Sequence, residues 1–157
     1  MTYADNYNIR SPQHVKLNDI GDALDGLLVS YDTATATSTV NTTETTMQDL
    51  DGMSVTVTTA AGQIVFVIAM VDVSNGTTGK TTWLQLDEDG AAQSNSCPYY
   101  EPSGASTGVH GTVTLYYISK PAAGSHTYKV KFDTEASGTA YADNRSMAVM
   151  VFRNAAS

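Results

Sequence analysis

Ser106 lies in GASTG, residues 104–108, which reproduces the G-x-S-x-G pattern of hydrolase nucleophiles. That pattern works when a strand, a sharp elbow and a helix lift the hydroxyl above an α/β sheet. Here VHGTVTLYY follows and alternates like a strand, so the five small residues read as a loop, and an esterase-like use of Ser106 is the weakest functional reading. GTTGKT, residues 76–81, begins like a phosphate loop. Only Thr77 and Thr78 separate Gly76 from Gly79-Lys80, where the motif needs four residues, and again a strand follows instead of a helix N-terminus. His14, His110 and His126 have no short ligand spacing, and Cys97 stands alone, so neither a zinc set nor an intrachain disulfide is expected. His126 is expected on the Tyr128 side of its strand as a partly buried residue.

Carboxylates gather at Asp87, Glu88 and Asp89 and at Asp49 and Asp51. Each group abuts a glycine, Gly90 or Gly52, which is what turn chemistry alone produces. A calcium site built from loop oxygens is the minor alternative, because neither group has EF-hand spacing. Asn41, Asn75 and Asn144 open N-x-[ST] triplets in a chain rich in threonine, serine and asparagine. No catalytic residue, cofactor or metal ligand is assigned. Tyr99 and Tyr100, in the irregular segment 94–108, are the candidate recognition residues, since rigid aromatic area suits sugar or protein contact. The competing reading packs both rings under their own loop.

The 157 residues carry 16 acidic against 8 basic side chains, a formal charge of −8, which argues against nucleic acid or an anionic membrane as partner. No charged-then-apolar leader opens the sequence and no apolar run is long enough to span a bilayer. Ser11-Pro12 reads as the start of a helix, with Leu17, Ile20, Leu24, Leu27 and Leu28 recurring at helical spacing between aspartates. Gly21 and Gly26 weaken it by roughly 1 kcal/mol each relative to alanine, so it needs a docking surface. Leu17, Ile20, Leu24 and Leu27 are therefore the candidate anchor to a larger particle.

After Asp32 the chain turns threonine-rich and helical spacing stops. A linker then leads into a first strand near residues 37–46, followed by alternating or apolar segments at 53–59, 63–73, 81–86, 111–119, 125–132 and 145–153. Seven or eight short strands without a second helix predict an all-β antiparallel jelly-roll sandwich over residues 35–157, preceded by a helical arm over 1–34. Two strands are apolar on both faces: Ile64, Phe66, Ile68 and Met70 alternate with Val65, Val67, Ala69 and Val71, and Met147, Val149 and Val151 with Ala148, Met150 and Phe152. A sandwich buries one face of each sheet, so the second face needs another cover. An oligomer supplies it better than one short helix, and Val65, Val67, Val71, Ala148, Met150 and Phe152 are the candidate interface.

The order of features carries a resemblance. TTETTMQDLDGMSVTVTT, an apolar strand, a strand ending in an acidic D-G turn, PAAGSHTYKVKF at 121–132, and Asn144-Arg145-Ser146 before a last apolar strand together resemble bacteriophage virion proteins with a tumour-necrosis-factor-like jelly-roll domain. It spans about residues 35–153, and PAAGSHTYKVKF is its most specific element. The resemblance implies a homotrimer with no catalytic residues, acting as a capsid decoration protein, head fibre or tail-tip module. It also implies a partner in the major capsid or another virion protein, and residence in the virion after synthesis in the host cytoplasm. The chain has no long shaft, which favours a compact decoration protein or short head fibre attached through its arm. The alternative is a receptor- or carbohydrate-binding module of a tail tip or fibre, with a host-surface glycan as ligand.

Overall fold

The computed structural model describes residues 26–93, 99–100 and 109–154. Among them the regular elements are all strands: β1 (Leu28–Ala36), β2 (Val40–Thr42), β3 (Gln48–Thr59), β4 (Ile64–Asn75), β5 (Thr82–Glu88), β6 (Ala91–Gln93), β7 (Tyr99–Tyr100), β8 (Gly111–Ser119), β9 (Gly124–Thr134) and β10 (Ala140–Phe152). β-Branched residues and strict alternation make these segments strands. In β3, for example, Met53, Val55 and Val57 are buried while Ser54, Thr56 and Thr58 face water.

One sheet has the order β1-β10-β4-β8, with β2 beside β10; the other has β3-β9-β5-β6, with β7 also on β5. Every pairing is antiparallel. First and last strands lie side by side in one sheet and the next pair inward in the other, which is the wrapped order of a jelly-roll sandwich. The core lies between the sheets, with Val65, Val67, Val71, Leu115, Val149 and Val151 meeting Met53, Val55, Leu84, Leu86, Tyr128 and Val130.

The turns follow their residues. Asp89 and Gly90 both have positive φ, 53° and 85°, as the tight β5–β6 hairpin demands. Gly52 has φ +73° inside the irregular stretch of β3, and a Cβ there would stand 2.9 Å from the Ala36 Cβ. Glycine is thus required twice over at this position, by dihedral and by the approach of β1.

The chain departs from its sequence reading at the start. Leu28 opens a strand, and residues 28–36 pair with β10 from Phe152 to Arg145, so Leu28 is not helical and no linker fills 32–36. The expected strand at 37–46 reduces to β2. Edge pairing with the apolar β10 overrides the helical spacing at Leu28, since local propensity yields to tertiary pairing. Leu27 sits in the turn before β1, where its carbonyl accepts from the Arg153 N–H at 2.8 Å. Leu17, Ile20 and Leu24, like Ser106 and Cys97, lie outside the described residues.

Candidate assembly surface and the polar end of the same sheet

Strands of the β1-β10-β4-β8 sheet carry side chains alternately inward and outward, and residues opposite one another across the ladder share a face. Val65, Val67 and Val71 are 0 % exposed, packed inside the sandwich. They cannot form an oligomer interface, and on β4 the outward set is Ile64, Phe66, Ile68 and Met70 instead. On β10 the outward set is Ala148, Met150 and Phe152, with Met147, Val149 and Val151 in the core. Both strands have equally apolar faces, so the alternation reveals the second face without saying which parity points inward.

The register assembles the outward residues into rows. Tyr31, Met150, Phe66 and Ile118 lie across all four strands, and Thr33, Ala148, Ile68 and Tyr116 form the next row. Leu28, Phe152 and Ile64 extend the apolar area at one end. These rows contain no charged residue, yet Tyr31 and Tyr116 are each 67 % exposed and Ile118 is 62 % exposed. In proteins generally, exposed uncharged aromatic and aliphatic patches mark contact surfaces.

Further along, the same outward parity of β4 turns polar at Asp72 and Ser74. β10 gains one residue there, between Ala142 and Arg145 in its pairing with β4. Such a bulge reverses the parity of the strand. It turns Arg145 inward, where the side chain is buried and bonds to backbone carbonyls: Nε donates to Asp51 O at 2.9 Å, and Nη1 to Ser38 O and Asp143 O at 2.7 Å each. One guanidinium thereby ties the β1–β2 connection, the irregular part of β3 and the bulge of β10. On the opposite side of the bulge, Asp143 joins Thr39, Ser74, His110 and Tyr141 in lining a cleft of about 420 Å³. Asp72, His110 and Asp143 present ligand atoms within 4.8 Å of one another at this end. The sequence hides this group because its members are far apart in the chain and meet only through the β10-β4-β8 register.

The carboxylates singled out in the sequence have other occupations. Asp49 pairs with Lys129 at 2.5 Å and with Lys131 at 3.7 Å, and Lys131 reaches Asp87 at 3.2 Å. Hydrogen bonding from Lys129, working against partial burial, holds the Asp49 carboxyl below its usual range. Lys129 and Lys131 therefore pair with the acidic side chains of β3 and β5. Glu88 accepts from Tyr117 at 3.1 Å, Ser119 at 3.2 Å and Tyr128 at 2.8 Å, and burial pushes the Tyr128 phenol above its ordinary value. Asp89 accepts from the Thr127 N–H at 2.7 Å and lies 2.7 Å from His126 Nδ1, while His126 Nε2 is 3.0 Å from Ala122 O. His126 is half-buried on the Tyr128 side of β9, as expected. Tyr99 and Tyr100 form β7, paired with Trp83 and Thr82 at the margin of the second sheet, so a strand holds this part of the segment.

No protein-family model and no curated protein matches the chain. Solved structures do. A chain from the structure of infectious bursal disease virus Gx strain is 12 % identical with TM-score 0.45, over 80 % of this chain and 32 % of that one, so this chain spans about a third of its length. The CBM36-1 domain of a multidomain xylanase from the hindgut metagenome of Trinervitermes trinervoides is 14 % identical with TM-score 0.38, over 75 % of this chain and 96 % of that domain. The EclA C-terminal domain, a sugar-binding protein, is 17 % identical with TM-score 0.37, over 74 % of this chain and 78 % of that one.

Proposed function

We propose that this chain is a virion structural protein of a bacteriophage, a capsid decoration protein or short head fibre. It self-associates, as a trimer, through the outer face of the β1-β10-β4-β8 sheet. The observation that carries the reading is the uncharged face built on Tyr31, Met150, Phe66, Ile118, Ile68 and Tyr116. A second copy is the fitting occupant: at a formal charge of −8 two copies repel one another, and they approach most easily through a face with no charge to desolvate. The resemblance of residues 35–153 to phage virion jelly rolls supports the trimer and the virion location. β1 begins at Leu28, at the apolar end of this face, and the segment preceding it serves as the anchor to the particle.

Sedimentation of the full chain at micromolar concentration tests this against the double variant Tyr116→Asp/Ile118→Asp, whose positions are exposed enough to leave the single-chain fold intact. The wild type should sediment as a trimer and bind undecorated capsids, and the variant as a monomer. Deleting residues 1–25, which stops short of β1, should abolish capsid binding while leaving the trimer. A monomeric wild type overturns the reading. If that monomer oligomerises once residues 1–25 are removed, the arm is what covers the face.

A further inference from the structure

We infer that the polar end of the outer sheet face binds a divalent cation of borderline softness, zinc foremost, through Asp72, His110 and Asp143. The three ligands come from adjacent strands: Asp72 from β4, His110 from the residue before β8, and Asp143 from the bulge of β10. Their positions are thus set by the sheet register, and their ligand atoms lie within 4.8 Å of one another.

Asp143 Oδ2 is buried without a hydrogen-bond donor, although His110 Nδ1 is 3.1 Å away. The contact lacks the alignment of a hydrogen bond, and both atoms can offer lone pairs to the same point. Two donors about 3 Å apart fit a metal at about 2.0–2.2 Å from each. Asp143 Oδ1 is held by the Thr39 hydroxyl at 2.5 Å, so the carboxylate is oriented from behind, in the way ligating carboxylates are. The Asp72 carboxylate has neither a hydrogen bond nor an ion pair among the described residues, and one of its oxygens lies within 4.8 Å of the other two ligand atoms. Arg145, turned inward by the bulge, bonds the Asp143 carbonyl and not its carboxylate. Two carboxylates therefore converge with one imidazole, and a divalent cation there would draw on all three.

The donor set selects the ion. Imidazole with carboxylates suits zinc and its neighbours, whereas calcium takes oxygen ligands and would leave His110 aside. Three protein ligands leave one coordination position facing the cleft of about 420 Å³. Bound there, the ion ties β10, β4 and β8 at the end of the sheet remote from the apolar rows.

The test uses the full chain stripped with chelator and titrated with zinc chloride by calorimetry, with thermal unfolding followed in parallel. One ion should bind per chain and raise the Tm, because only the folded sheet brings the ligands together. Asp72→Asn and His110→Ala, both at positions with solvent access, should each weaken binding at least tenfold while leaving the circular dichroism spectrum unchanged. His14→Ala should leave binding as it is. Zinc that neither raises the Tm nor distinguishes these variants from the wild type overturns the site, as does calcium binding that ignores His110→Ala.

Discussion

Replacing Arg145 by methionine keeps the length of the side chain and removes its donors. The wild-type guanidinium makes three hydrogen bonds at 2.9 Å or shorter, to Asp51 O, Ser38 O and Asp143 O, and a longer one of 3.4 Å to Ala142 O. Bonds to a charged donor contribute about 1.5–3 kcal/mol each, so the three short ones amount to roughly 4–9 kcal/mol before costs. Against them stands the burial of a cation with no carboxylate partner and with Nη2 unbonded, which costs several kcal/mol. The net loss expected is therefore about 2–4 kcal/mol. Urea unfolding at fixed protein concentration, followed by fluorescence of the single tryptophan, Trp83, reads it directly. With a slope of about 2 kcal/mol/M the midpoint should fall by about 1–2 M. A shift under about 0.3 M would refute the reasoning, because burial of the charge would then cancel all that its bonds contribute.

Two further outcomes follow from the turns and the second sheet. Gly52→Ala should lose about 1–3 kcal/mol in the same assay, since alanine is strained at φ +73° and its Cβ meets the Ala36 Cβ at 2.9 Å; an unchanged midpoint would mean that β1 yields at no cost. His126 has acceptors at both ring nitrogens, and only the protonated ring can donate to both. Burial lowers its pKa, but the Asp89 carboxylate and the Ala122 carbonyl outweigh burial and leave it above 6.5. The folded state thus holds its proton more tightly than the unfolded chain, and this stability is complete below about pH 6.5 and is lost as pH rises through the folded pKa. Denaturant midpoints across pH 5.5–8.5 should fall with rising pH, and His126→Gln should flatten that slope; an equal slope in the variant would assign it to other groups.

The strands were legible because period-two alternation survives wherever one face is buried, as in Met53, Val55 and Val57 or Tyr128, Val130 and Phe132. PAAGSHTYKVKF kept its reading as a turn feeding a strand: Gly124 opens β9 at φ 150°, and Lys129 and Lys131 line its outer side. Leu28 fits a helix locally yet lies in a strand, because its partner, Phe152, is at the far end of the sequence. The parity of β4 was misread for a different reason. Two equally apolar faces carry no local mark of which one meets the opposite sheet.

By itself, then, the sequence determined the all-β class, the position of most strands, the acidic character, and the presence of two strands with an apolar face to spare. These depend on neighbours in the chain, where side-chain period and turn residues act directly. Only the tertiary structure decided that Val65, Val67 and Val71 are core and that Ile64, Phe66, Ile68 and Met70 face out. It also decided that a bulge turns Arg145 inward and that Asp72, His110 and Asp143 meet at one end of the sheet. Each of these is a matter of register between strands distant in sequence, and register is fixed by the pairing of whole strands, which no short stretch of residues contains.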